Sequence, residues 1–181
     1  NNLGTAFKEM GETKKAVSYY ERVIKINPDH TNAQYNLGLS YYQLKKYNES
    51  KNFLLKTVNL QPNFALAFIN LANIYVELKD YNNAVSNYQK GIKVNPNLPS
   101  AHNNLGLVFR ILNDYENAIK CYKKAIEIRI NYASAHHNLA MALKEQGNFT
   151  EAAKEHEEAI KYEPNNLVNY FYLSELKKDV L

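Results

Sequence analysis

Asparagine side chains recur at a constant interval of 34 residues along this chain. Asparagine accounts for 26 of the 181 residues, too few for composition alone to place five of them in one register. A carboxamide carries two N–H donors and an acceptor oxygen, so it can pair with both the N–H and the C=O of one peptide unit. A row of amides is therefore suited to holding a polypeptide backbone. The five residues are Asn2, Asn36, Asn70, Asn104 and Asn138.

Groups that could perform catalysis or bind a metal lack the spacing for it. His102 and His136 stand one interval apart. Equivalent positions of stacked helices lie about 10 Å apart, whereas zinc needs its ligands at about 2 Å. The single cysteine, Cys121, has no disulfide partner and no activating group placed by the spacing. Phosphate-binding loops and His-Glu metal motifs do not occur. We therefore predict no catalytic residue, no metal and no cofactor, and we do not expect an enzyme.

Composition also limits the partners and the compartment. The chain is 45% hydrophobic and carries a net charge of +4. It contains no run of about 18–20 apolar residues, so we expect no membrane insertion. The charge is mild and an unvarying asparagine provides no base code, so nucleic acid is not expected as a partner. One cysteine suits a reducing compartment, which favours the cytoplasm or the nucleus. The first residues continue the repeat from within a unit, so we expect a piece of a longer chain.

The same interval orders small residues, aromatic residues and prolines. Each unit has two stripes with helical spacing, which begin at Ala33 and Tyr47 in the second unit. The small residues allow the two helices to approach closely, and proline ends the second helix. A single hairpin cannot bury its stripe, so the units must stack. The small residues follow leucine in Leu3-Gly4, Leu37-Gly38, Leu71-Ala72, Leu105-Gly106 and Leu139-Ala140.

This pattern of Asn-Leu-Gly, aromatic residue, alanine and closing proline resembles the tetratricopeptide repeat (TPR) over essentially the whole chain. The resemblance implies an all-α fold, an α-solenoid of about five helical hairpins that form a right-handed superhelix, with a C-terminal capping helix. The signature tryptophan of the family is replaced, by His102 and His136 among others, and we expect these residues to pack in its place. The predicted single array comprises a truncated repeat (1–30), full repeats (31–64, 65–98, 99–132, 133–166) and the capping helix (167–181).

In this family the first helices of successive repeats line a concave groove, and the resemblance places the asparagine row there. Neighbouring residues would set selectivity, with apolar side chains at the middle of the groove. Two alternatives remain open: the asparagines hydrogen-bond within the stack, or their neighbours contact the next helix and not a ligand. The other predicted groove residues are Tyr35, Leu39, Ile69, Asn73, Leu107, His137 and Met141.

These observations favour a non-catalytic scaffold for protein–protein interaction, which binds an extended peptide segment in its groove. An alternative is the substrate-recognition region of a larger enzyme, because the asparagine row is similar to that of O-linked N-acetylglucosamine transferases. A third hypothesis is end-to-end self-association through apolar end faces that contain Leu3 and Phe7. The predicted partner is in each case a protein or a peptide.

Overall fold

The structure is a computed structural model that describes residues 2–179; residue 1 and residues 180–181 of the predicted array lie outside this range. The described residues form eleven α-helices joined by short turns. They are α1 (Asn2–Glu9), α2 (Thr13–Ile26), α3 (Thr31–Gln43), α4 (Tyr47–Leu60), α5 (Ala65–Glu77), α6 (Tyr81–Val94), α7 (Pro99–Ile111), α8 (Tyr115–Ile128), α9 (Ala133–Glu145), α10 (Phe149–Tyr162) and α11 (Leu167–Asp179).

The helices keep the interval seen in the sequence. From α3 onward the first helix of each hairpin begins at residue 31, 65, 99, 133 or 167, and the second helices begin at 13, 47, 81, 115 and 149. The predicted all-α fold is confirmed. The chain divides into two compact units, residues 1–94 and residues 95–181, which we call the N-terminal unit and the C-terminal unit.

Inside three of the hairpins, a glycine of the first helix faces a large side chain of the second helix. A Cβ atom added to any of these glycines would lie only 2.6 to 2.9 Å from that side chain. The large side chains are fully buried. The absence of a side chain at these positions is thus what allows each pair of helices to meet. The pairs are Gly4 with Tyr20, Gly38 with Leu54, and Gly106 with Tyr122.

A polar contact reinforces this packing in the second hairpin. The Ser50 hydroxyl of α4 donates a hydrogen bond of 2.6 Å to the backbone carbonyl of Gly38 in α3. Ser50 is completely buried, and its hydroxyl would be costly to bury without a partner. The close approach predicted for Gly38 is therefore observed, with Ser50 as its partner.

The turn inside each hairpin contains one residue with a left-handed backbone. The backbone N–H that follows this residue bonds back to the first helix, as from Lys46 to Tyr41 at 2.9 Å, and this 6→1 bond ends the helix. Glycine adopts the left-handed conformation without strain, whereas lysine does not. The residues are Gly11 (φ 76°), Lys45 (58°), Lys79 (59°), Asn113 (60°) and Gly147 (80°).

The residues that replace the family's signature tryptophan contact the turn between repeats. Side chains at this position contact the carbonyl oxygen six residues earlier, at 2.7 to 2.9 Å. His102 and His136 are buried, as expected for residues that pack in place of tryptophan. The hydrogen bonds tie each closing turn to the helix that follows it. The three contacts are Gln34 with Pro28, His102 with Pro96, and His136 with Ile130.

Replacing Gly106 by leucine is expected to destabilise the protein by about 3 kcal/mol or more, because the Tyr122 ring already occupies the space. Gly106→Ala is the matched control. Ala72 and Tyr88 hold the equivalent positions of another hairpin, and the higher helix propensity of alanine offsets about 1 kcal/mol of crowding. Urea unfolding followed by far-UV circular dichroism measures both variants. Equal stability of the two would contradict the close contact.

Replacing Lys79 by glycine is expected to stabilise the protein by about 1 kcal/mol, since it removes the strain of a left-handed lysine. Lys90→Gly provides the contrast, because Lys90 is exposed within helix α6. Glycine there should destabilise the protein by about 0.5–1 kcal/mol. Thermal and urea unfolding of the two variants will show opposite signs; destabilisation by Lys79→Gly would disprove the strain.

Candidate functional site

In the N-terminal unit, the predicted binding residues lie on neighbouring first helices. Helix α3 contributes Asn36 and Leu39, and helix α5 contributes Asn70 and Asn73 together with Leu66. Within each helix these residues are three or four positions apart and so share one face. Leu66 is 48% exposed and the other four are half-buried. We call these five residues the N-terminal face; Asn2 on α1 is exposed.

Asn70 forms a hydrogen bond between repeats. Its Nδ2 donates to the hydroxyl oxygen of Tyr35 at 2.8 Å. The Tyr35 ring lies beside Phe64, with the ring centroids 4.7 Å apart. Burial raises the pKa of Tyr35, and the N–H donated by Asn70 opposes this shift. Tyr35 therefore contacts the following repeat, as one of the two alternatives predicted, and it fixes the orientation of the Asn70 amide.

Hydrogen-bonding capacity remains on both asparagines of this row. Asn70 uses one of its two N–H groups for Tyr35, and its carbonyl oxygen has no partner among residues 2–179. The Asn36 side chain makes no hydrogen bond to the described part of the chain. Each amide can thus present a donor and an acceptor to a ligand.

Tyrosines of the second helices form hydrogen bonds with first-helix residues that stand three positions after the asparagine row. The Tyr88 hydroxyl donates a short hydrogen bond to Asn73 Oδ1, and the Tyr20 hydroxyl lies 3.2 Å from Thr5 Oγ1. The equivalent Tyr122 departs from this pairing because the partner position holds leucine. Burial raises the pKa of Tyr122 to about 12, which the neighbouring Arg110 opposes. These tyrosines were not predicted as site residues, although their register opposite Thr5 and Asn73 could have indicated it.

In the C-terminal unit, three asparagines form a hydrogen-bonded series. Asn138 Nδ2 donates to Asn103 Oδ1 at 2.9 Å, and Asn103 Nδ2 donates to Asn104 Oδ1 at 3.3 Å. Asn103 is only 4% exposed, so it links the two asparagines of the row from below the surface. Half-buried Leu107 and Met141 stand three residues after Asn104 and Asn138, and we call these four residues the C-terminal face.

Two further predicted groove residues, Ile69 and His137, are engaged by neighbouring helices. Ile69 is 7% exposed, and its Cδ1 would lie 2.6 Å from a Cβ added to Gly91 of α6. His137 Nδ1 lies 2.6 Å from Asn169 Oδ1 of α11. Ile69 therefore offers a ligand little surface, and His137 contacts the next helix, as the second alternative predicted.

Each of the two faces presents side-chain amides and apolar side chains. The N-terminal face has five side chains and the C-terminal face has four, and all of them are uncharged at neutral pH. One of the nine, Asn73, is already bonded to Tyr88. Within residues 2–179, no three His, Cys, Asp or Glu side chains converge as ligands for a metal ion. None of the described helices is long and apolar enough to cross a membrane.

Comparisons with known protein families agree with this architecture. A family model described as TPR repeat matches residues 4–45, 72–110 and 106–147, and two described as tetratricopeptide repeat match residues 31–64 and 133–166. Because these matches cover most of the sequence, the chain belongs to the tetratricopeptide repeat family. No curated protein matches it.

Solved structures of TPR proteins are similar to this chain. A crystal structure of MamA has 25% identity and a TM-score of 0.85, over 90% of this chain and 95% of that one. YrrB, a TPR protein described as having an unusual peptide-binding site, has 19% identity and a TM-score of 0.81, over 94% and 88%. TTC0263 of Thermus thermophilus has 22% identity and a TM-score of 0.72, over 97% and 95%. These neighbours share the helical-repeat fold of this chain.

The hydrogen bond between Tyr35 and Asn70 predicts a measurable coupling between repeats. Tyr35→Phe and Asn70→Ala should each destabilise the protein, and the double variant should show a coupling free energy of about 0.5–1.5 kcal/mol in a double-mutant cycle. Tyr81→Phe is the control, since the Tyr81 hydroxyl has no partner among the described residues. Additive effects of the two substitutions in urea unfolding would show that the bond does not stabilise the stack.

Proposed function

We propose that this chain is a protein-interaction scaffold that binds an extended peptide segment across neighbouring first helices of one unit. The observation that carries the proposal is the unused hydrogen-bonding capacity of the Asn36 and Asn70 side chains. Both amides are half-buried on adjacent helices and retain donors and acceptors toward a ligand. These donors and acceptors can exchange water for a peptide backbone, which supplies both a donor and an acceptor.

The spacing of the helices suits an extended chain. Equivalent positions of neighbouring helices are about 10 Å apart, and an extended peptide advances about 3.3 Å per residue. Asn36 and Asn70 would then meet backbone groups about three residues apart. Amides that contact only the backbone do not distinguish side chains, so they would provide affinity without reading the sequence of the partner.

Selectivity would come from the apolar neighbours of the amides. Leu39 follows Asn36 on α3, and Leu66 precedes Asn70 on α5, where it is 48% exposed. On the C-terminal face, Leu107 and Met141 stand beside Asn104 and Asn138. Each apolar side chain of the partner that becomes fully buried here would contribute about 1.5–3 kcal/mol. The preferred partner is therefore an extended segment with spaced leucine, isoleucine or phenylalanine residues and no requirement for charge.

The structural neighbours support this proposal at the level of fold. YrrB is described as a TPR protein with an unusual peptide-binding site, which is consistent with peptide binding by this chain. The placement of the ligand on Asn36 and Asn70 comes from this chain alone.

The proposal is tested with a library of random linear peptides displayed on phage and selected on the intact chain. Enriched peptides are synthesised, and their Kd values are measured by fluorescence polarisation. Asn36→Ala combined with Asn70→Ala should raise the Kd about tenfold or more, since each asparagine loses hydrogen bonds worth about 0.5–1.5 kcal/mol. The matched control is Asn52→Ala combined with Asn82→Ala, at exposed positions of the second helices, which should change the Kd less than about twofold.

A second arm of the experiment tests recognition of the backbone. An enriched peptide is resynthesised with a single N-methyl group at each position in turn, which removes one N–H and keeps the side chain. At least one central position should lose about tenfold in affinity for the wild-type chain and much less for the double variant. Binding that is unaffected by either change, or a library without any enriched peptide, would contradict the proposal.

A further inference from the structure

The junction between α10 and α11 in the C-terminal unit is built differently from the other repeat junctions. In four repeats the third residue of the first helix is a fully buried alanine, whereas the last first helix has Asn169, which is 1% exposed. The second helix before it has His156, 0% exposed, where the other repeats have tyrosine or leucine. A polar pair thus replaces an apolar pair at this junction. The alanines are Ala33, Ala67, Ala101 and Ala135, and the equivalents of His156 are Tyr20, Leu54, Tyr88 and Tyr122.

Two histidines share one oxygen atom of α11. Asn169 Oδ1 lies 2.6 Å from His137 Nδ1 and 3.1 Å from His156 Nδ1. Both imidazoles must carry their proton on Nδ1 to donate to this oxygen. The Tyr172 ring of α11 stacks on His156 with the ring centroids 5.6 Å apart, and it lies 5.8 Å from the His137 ring. The two imidazoles therefore hold α11 against α9 and α10 through one shared acceptor.

The buried ring of His156 has no acceptor for an additional proton. His156 Nε2 and Asn169 Nδ2 are buried and have no hydrogen-bond partner among the described residues. With the proton on Nδ1, Nε2 of the neutral ring is a bare acceptor. Protonation would turn it into a charged donor at a site that offers no acceptor, which is far more costly to bury than a neutral acceptor.

The groups around His156 add to this cost. His137 and Lys144 face it from α9 and Tyr172 faces it from α11, and no carboxylate among the described residues pairs with it. Burial is the main cause that lowers the pKa of His156 to about 4 from its ordinary 6.5. The Asn169 hydrogen bond opposes the shift, and the positive field of His137 and Lys144 adds to it.

The pKa of His136, in the same unit, shifts in the opposite direction. Burial by itself lowers its pKa, but hydrogen bonds to the Glu155 carboxylate and the Ile130 carbonyl, with the charges of Glu155 and Glu158, raise the pKa overall. The contact from His136 Nδ1 to Glu155 Oε2, 2.7 Å long, joins α9 to α10. A group with a raised pKa stabilises the folded state below its ordinary pKa and loses this effect as the pH rises. Acid therefore supports the α9–α10 hairpin.

We propose that the α10–α11 junction is a proton-sensitive joint, which holds the last described helix at neutral pH and releases it when His156 becomes protonated. A released His156 binds a proton more tightly than a docked one. Docking is therefore most stable above pH 6.5 and weakens as the pH falls from 6.5 toward 4. Because Leu176 of α11 packs in one core with Leu139 and Leu143 of α9, release would uncover an apolar surface on the C-terminal unit.

Hydrogen–deuterium exchange of the intact chain tests this joint. Protection factors, corrected for the intrinsic pH dependence of exchange, are compared at about pH 7.5 and about pH 5. Protection of the α11 amides should fall about tenfold or more, while that of α9 and α10 should stay unchanged or increase. Equal protection of α11 at both pH values would overturn the proposal.

The matched variant is His156→Tyr combined with Asn169→Ala, which gives this junction the residue types of Tyr122 and Ala135. It should keep α11 protected at both pH values. His102→Gln, which copies Gln34 at the equivalent position, is the control and should respond to pH as the wild type does. A double variant with the wild-type response to pH would also overturn the proposal.

A titration of the wild-type histidines by NMR does not depend on how any variant folds. The His156 resonance should stay that of a neutral imidazole for as long as α11 remains docked. Protonation of His156 near its ordinary pKa of 6.5, with α11 still protected from exchange, would contradict the joint.

Discussion

The close contact between a small residue of each first helix and a large side chain of the second is the constraint on which the architecture depends. Where glycine leaves room for the Tyr20, Leu54 or Tyr122 side chain, the two helices meet within van der Waals contact. The same pairing recurs without insertion, so the helices recur at an interval of 34 residues. Residues at one register position are consequently repeated on neighbouring first helices, which is how Asn36 and Asn70 come to lie on adjacent helices.

The two roles considered for the asparagines support one another. Asn70 donates to Tyr35, and Asn138 donates to the buried Asn103, so part of each amide stabilises the contact between repeats. The same bonds hold the amides in fixed orientations before a ligand arrives. Preorganised groups lose less conformational entropy on binding than mobile ones do. A structural hydrogen bond on one side of the carboxamide therefore favours recognition on the other side.

The fold could be predicted from the sequence because its period is carried by residue types that recur without a gap. The contacts of the residues beside the asparagine row could not be predicted, because these contacts depend on side chains of other helices. Tyr35 and Ile69 hold the same register position, but Tyr35 bonds to Asn70, while Ile69 fills the space left by Gly91. That space exists only because glycine stands where the preceding repeat has Thr57. The burial of Ile69 thus depends on the absence of a side chain at Gly91 of another helix. The repeat pattern alone does not indicate this dependence.

The central claim is that the Asn36 and Asn70 amides bind the backbone of a peptide, and NMR of the side-chain amide groups tests it most directly. In a titration with a library-selected peptide, the NH₂ resonances of Asn36 and Asn70 should shift and show contacts to backbone protons of the peptide, while those of Asn52 and Asn82 stay in place. Unchanged Asn36 and Asn70 resonances at saturation with the peptide would contradict the account.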